Sequence, residues 1–256
     1  MRPSTQFFIC LLLITCKGKD DPIGSRSNNF NGQLTKFETI NAIPPPDGYE
    51  RIALSQNSFG EWLRAIRLKK DDRVYLYDGS LKKNQSAQFA VLDKPVGKKN
   101  LQQCADAVMR LRAEYLFEQG RYEEIVFRDN NGTPYAWKGK NSQQSFDSYL
   151  ETVFGMCGTA SLEKQLKPVS DWREIQPGDV FVKGGFPGHA MIVVDVAIDK
   201  KGKRVFMLAQ SYMPAQDIHI VKNPLDEDIS PWYEVEANTI LVTPEWRFLT
   251  GQLYKW

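Results

Sequence analysis

The apolar positions of this chain change period once, near its middle. Between residues 100 and 119, Cys104, Val108, Leu111 and Tyr115 recur at steps of four, three and four, which puts them on one face of a helix ending before Gly120. A second helix is predicted from Ser142 to Met156 with Phe146, Tyr149 and Val153 inward, Cys157 at its end and Gly158 as its stop; a third covers Ser161 to Leu166. From residue 178 the runs are β-branched and strand-like: Val180–Lys183, His189–Ala197, Arg204–Ser211, Ile218–Val221 and Thr239–Val242. Helices followed by an antiparallel meander predict an α+β fold.

Upstream, Ser58-Phe59-Gly60-Glu61 fits a capping box opening a helix to about Lys69. Arg73–Asp78 and Gln88–Asp93 read as strands, so residues 47–95 are expected to form an N-terminal α/β elaboration and 96–256 the main domain. Residues 17–46 are polar, end in Pro44-Pro45-Pro46 and read as a tether without a core. Residues 1–16 combine Arg2 with the apolar run Phe7–Ile14, too short to span a bilayer, and read as an export signal.

Thirty-three basic against 31 acidic residues leave a net charge of +2, which makes no electrostatic case for nucleic acid. Two histidines thirty residues apart, with no Cys-x-x-Cys, supply no metal-ligand set. Gly184–Gly188 leads into a strand and lacks a following Lys-Ser/Thr, so it is no phosphate cradle, and no cofactor is expected.

Cys/His nucleophilic chemistry remains. With Cys10 in the signal and Cys16 at its end, Cys104 and Cys157 are left for the folded domain. Cys104 sits in the first turn of its helix, where unpaired N–H groups favour a thiolate, and Cys157 sits at a helix end, where they do not. Cys104 is therefore the candidate nucleophile; a small core residue or a Cys104–Cys157 disulfide are the plain alternatives. His189 follows a Gly/Pro turn at the mouth of a strand and is the candidate base. His219 alternates with Ile218 and Ile220, is expected on a solvated face, and is the weaker candidate. A hairpin turn centred near Lys201-Gly202 puts Gln210 on the face of His189 as its orienting amide; a one-residue slip brings Ser211 instead. Gly185, Phe186, Gly188 and Tyr212 are the expected binding rim.

A helix-start cysteine, Gly178-Asp179-Val180-Phe181, a Gly/Pro loop, Gly188-His189-Ala190-Met191 on a strand and a polar residue on the next strand resemble the NlpC-type papain-like cell-wall peptidase superfamily. That resemblance spans about residues 100–222 and implies a papain-like core, a Cys104-His189-Gln210 triad and a peptide or glycopeptide substrate. Gln103 and Ala105-Asp106 depart from the superfamily's usual Asp before and Ser-Gly after the cysteine. The whole chain is also similar to an uncharacterised family of Bacteroidetes lipoproteins, through Leu101–Asp106, Pro187–Ala190, Ala209–Gln216 and Thr243–Trp246.

Cys16 resembles a lipobox cysteine, and Lys19-Asp20-Asp21 resembles a surface-export signal; an ordinary cleaved signal peptide is the alternative. The resemblances imply an outer-membrane lipoprotein of the cell envelope, touching the membrane through its lipid anchor alone. The rival to a cysteine hydrolase is a surface lipoprotein that binds glycan or protein through aromatics such as Trp232, Tyr233, Trp246 and Trp256, without catalysis.

Overall fold

The computed structural model describes residues 34–139, 143–234 and 239–256. The export signal, Cys16, the first part of the tether and Ser142 lie outside them. The fold is α+β: a large antiparallel sheet with few helices.

Its helices are α1 (Phe59–Arg64), α2 (Cys104–Glu118), α3 (Gln143–Met156) and α4 (Thr159–Gln165). Its strands are β1 (Tyr49–Arg51), β2 (Gln88–Val91), β3 (Val126–Arg128), β4 (Pro134–Ala136), β5 (Lys167–Pro168), β6 (Val180–Lys183), β7 (His189–Asp199), β8 (Arg204–Gln210), β9 (His219–Val221), β10 (Trp232–Glu234), β11 (Ile240–Val242), β12 (Arg247–Leu249) and β13 (Leu253–Lys255). The main sheet runs β2-β9-β8-β7-β6-β13-β5, with β1 on the far end of β7 and β10 on the far end of β8. β3–β4 and β11–β12 are separate hairpins.

β7 and β8 are continuous apolar runs because both faces of the sheet are covered. One face, with Ala190, Ile192 and Val194 of β7, packs into a core shared with α1 to α4. The other, with Met191, Val193, Phe206 and Leu208, meets Phe248, Leu241 and Tyr233. Val196, three residues after Val193, returns to that second face, the signature of a bulge, and the β7–β8 register shifts between Val193 and Asp195.

The bulge decides which residues meet at the mouth of the sheet. Near the turn, Ile198 pairs with Arg204, a register centred on Lys201 and not between Lys201 and Gly202. Continued unbroken, it would put Gln210 on the face opposite His189. Beyond the bulge Val193 pairs with Leu208 and Ile192 with Ala209, and Gln210 returns to the His189 face. The turn itself is fixed by Asp199, whose Oδ1 accepts the N–H groups of Lys201 and Lys203 at 2.8 Å each, and by Gly202 at φ +86°.

The bulge is pinned by a fully buried carboxylate. Asp195 Oδ2 accepts from Arg51 Nε at 2.7 Å, and its Oδ1 accepts from Arg64 Nε at 2.6 Å and from the Val196 N–H at 2.8 Å.

Several expectations are corrected. The tether does not extend to residue 46, because Ile40 and Ile43 are in the core and Trp232 Nε1 donates to the Pro44 carbonyl at 2.8 Å. α1 stops at Arg64 because the following backbone pairs elsewhere: the Leu68 N–H donates to Glu38 O at 2.9 Å and the Lys69 N–H to Val91 O at 2.8 Å. Arg73–Asp78 forms only isolated bridges, Tyr75 to Leu81 and Leu76 to Gln216, since side chains interrupt the pairing: Gln85 both accepts from and donates to Val74, and Asp217 Oδ2 accepts the Tyr75 N–H at 3.0 Å. Gly158 is the extended N-cap of α4, at φ −161°, and not a left-handed stop for α3. Trp232 and Tyr233 are core residues, buried too deeply to form a binding platform.

Candidate functional site

α2 begins at Cys104 because Gln103 is extended and Asp106, three residues into the helix, turns its carboxylate back to accept the Gln103 N–H at 2.9 Å. β7 begins at His189 because the loop before it is tied down: Thr159 Oγ1 of α4 donates to Gly185 O at 3.2 Å. Gly188 is required there, as a Cβ would stand 2.3 Å from Thr159 Oγ1 and 2.4 Å from Gly185 O. These two starts open on one cleft of about 760 Å³, also bordered by the α3–α4 junction, the residues after β8 and Trp246. Gly185, Phe186, Gly188 and Tyr212 all line it, as do Cys104, His189 and Cys157. Gln210 lies behind the wall, in contact with His189. Cys104 and Cys157 are both free thiols, so no disulfide joins them.

The orienting contact is present: His189 Nε2 and Gln210 Oε1 are 2.8 Å apart. Ser211 is engaged elsewhere, its Oγ 2.8 Å from Gln102 O and 2.9 Å from Gln216 O, which ties the end of β8 to the approach of α2.

The proton positions follow from the partners. His219 Nδ1 faces the Asp217 carbonyl at 2.9 Å, and a carbonyl only accepts, so Nδ1 carries the proton and Nε2 a lone pair. That lone pair is 3.3 Å from Gln210 Nε2, which also donates to Glu245 Oε2 at 2.9 Å. With its NH₂ committed to these two acceptors, Gln210 presents Oε1 to His189 and must receive a proton there. His189 is therefore protonated on Nε2, leaving the Nδ1 lone pair as its base. Glu245 is held in turn by Lys82 Nζ at 2.6 Å and Asn84 Nδ2 at 3.2 Å.

Sequence reasoning missed this second layer. His219 is fully buried and bonded, not solvated, because Asp217 and Gln210 satisfy both of its nitrogens. Glu245 and Lys82 are 163 residues apart, so no local pattern pairs them. The one signal was Thr243-Pro244-Glu245-Trp246, a family stretch without a role.

Burial sets the electrostatics. The His189 ring lies 4.9 Å from that of Tyr212, 5.2 Å from Trp246 and 5.9 Å from Phe248, centroid to centroid. Desolvation lowers its pKa to about 4, against the opposing bond to Gln210. The Cys104 thiol is pushed up to about 11, chiefly by burial and further by Asp106, although the Ala105 and Ala190 N–H groups favour its anion. Loss of solvation thus outweighs the helix start, reversing the expected depression of the thiol. Burial also raises the Asp106 carboxyl to about 8. At neutral pH the thiol and the imidazole that line this cleft are both neutral, and the sulfur is near the N–H of Ala190, the residue after His189.

Residues 40–140 and 134–255 match the family described as a domain of unknown function (4846). The chain belongs to the DUF4846 family. No curated protein matches it, and no solved structure does. Among the described residues, no three His, Cys, Asp or Glu side chains are grouped to hold a metal ion, and no helix is long and apolar enough to cross a membrane.

Proposed function

We propose that this chain is a lipid-anchored cysteine hydrolase of the cell envelope that cleaves an amide or ester bond with Cys104, His189 and Gln210. The carrying observation is the 2.8 Å contact between His189 Nε2 and Gln210 Oε1, which leaves the Nδ1 lone pair as base in the cleft that Cys104 lines. His189 Nδ1 takes the thiol proton as Cys104 Sγ attacks the carbonyl carbon; the imidazolium returns that proton to the leaving group, and water then releases the acyl group. Because both groups rest neutral, proton transfer accompanies attack and no preformed thiolate is involved.

The resemblance to NlpC-type peptidases supports a papain-like framework and peptides of the cell wall as substrates. The outer-membrane anchor rests on Cys16 and the apolar run before it, as in Bacteroidetes lipoproteins. A second reading is a non-catalytic scaffold whose cleft binds glycan or protein; the raised thiol favours it. Incubation with p-nitrophenyl acetate followed by intact-mass and peptide mapping separates the two. An acetyl group on Cys104 that turns over, and is lost in Cys104→Ala, is expected; burst-free release with Cys104 unmodified favours the scaffold.

A further inference from the structure

The cleft has a chemical bias that the catalytic residues do not explain. Among the described residues, neither lysine nor arginine lines it. Its carboxyl is Asp106, and the charge of Asp129 acts on Cys157 in its wall. A substrate carboxylate or phosphate entering here would leave water with no lysine or arginine in the lining to receive it and with the Asp129 charge nearby, both unfavourable.

Its apolar lining is built from Leu101, Phe154, Phe186, Met213 and Trp246. Phe186 is 99% exposed and Met213 54% exposed, and both stand at the mouth. An apolar side chain held almost wholly in water beside a cleft marks a contact surface. Phe186 is presented by a loop fastened at Gly185 and Gly188, so its placement is part of the fold. Gln103 and Asn130 also line the cleft, and their amides are suited to a peptide backbone and superfluous for a hydrocarbon chain.

We infer that the cleft takes a peptide whose residues flanking the scissile bond are uncharged, with an apolar side chain on the acyl side packed against Phe186, Met213 and Trp246. This deepens the cysteine-hydrolase reading and rests on it for the word scissile. Acidic peptides, including those carrying free carboxylates beside the bond, are poor substrates on this account.

The test uses the full chain and three reagents: acetyl-Ala-Phe, acetyl-Ala-Glu and decanoyl chloromethyl ketones, with Cys104 modification followed by mass. The Phe reagent should react at least about tenfold faster than the Glu reagent. Met213→Lys, which adds a cation at the mouth, should narrow that ratio. Equal or faster reaction of the Glu reagent overturns the inference, and fastest reaction of the decanoyl reagent overturns its peptide part. If His189→Ala leaves all three rates unchanged, the hydrolase reading fails, and the binding preference is then decided on Cys104→Ala by Trp fluorescence. Tighter binding of acetyl-Ala-Phe amide than of acetyl-Ala-Glu amide sustains the inference; equal binding overturns it.

Discussion

On the proposed hydrolase mechanism, His189→Ala is expected to lower the rate of acyl transfer to Cys104 by about 10²- to 10⁴-fold, the usual worth of a positioned general base. The Cys104 thiol is held at about 11 by burial and by Asp106, so at neutral pH almost none of it ionises unaided. On the proposed mechanism attack needs an acceptor for the proton, and the candidate is the Nδ1 lone pair of His189, whose Nε2–H is committed to Gln210. Single-turnover release of p-nitrophenol measures the loss. Added imidazole should restore part of the rate by occupying the space between Tyr212, Trp246 and Phe248, a recovery that damage to the fold would not allow.

Asp195→Ala is expected to destabilise the protein by about 3–5 kcal/mol, read from urea unfolding by the shift in midpoint at constant slope. Its carboxylate is fully buried and bonded to Arg51 and Arg64 at 2.7 Å and 2.6 Å. Removing it leaves two largely buried guanidinium groups facing each other without a counter-charge. Arg51 keeps its contact with the Ile43 carbonyl and Arg64 its contacts with the carbonyls of Ile52 and Val196, which limits the loss. The consequence reaches the site, because the bulge at Asp195 sets the parity that brings Gln210 to the His189 face.

That bulge shows where sequence reasoning works and where it stops. Parity across the β7–β8 hairpin put Gln210 on the His189 face, where the structure has it, but placed the turn half a residue away, and the bulge compensated for the difference. No local pattern announces it: Val193-Val194-Asp195 reads as uninterrupted strand, and only the arginines of β1 and α1 reveal what the aspartate does. The helix of Cys104 and the strand of His189 were legible because period and Gly/Pro punctuation are local properties. The thiol's electrostatics were not, since the helix start is visible in the sequence while the burial that outweighs it arises only once α2 packs into the fold, where it meets β7 and β8. His219 failed for the same reason: alternation identifies opposite faces of a strand, and here both faces are buried.

The most direct test of a neutral Cys104–His189 pair is the pH dependence of single-turnover acylation of Cys104 between pH 3.5 and 7.5, with near-UV circular dichroism confirming the fold at each point. The base must be unprotonated to act, so the rate falls as pH drops through the folded pKa of His189. A half-maximal rate near pH 4 and a plateau from about pH 5.5 are expected, with both features lost in His189→Ala. A midpoint near 6.5, the value of a solvated imidazole, or a profile that His189→Ala leaves unchanged, would contradict it.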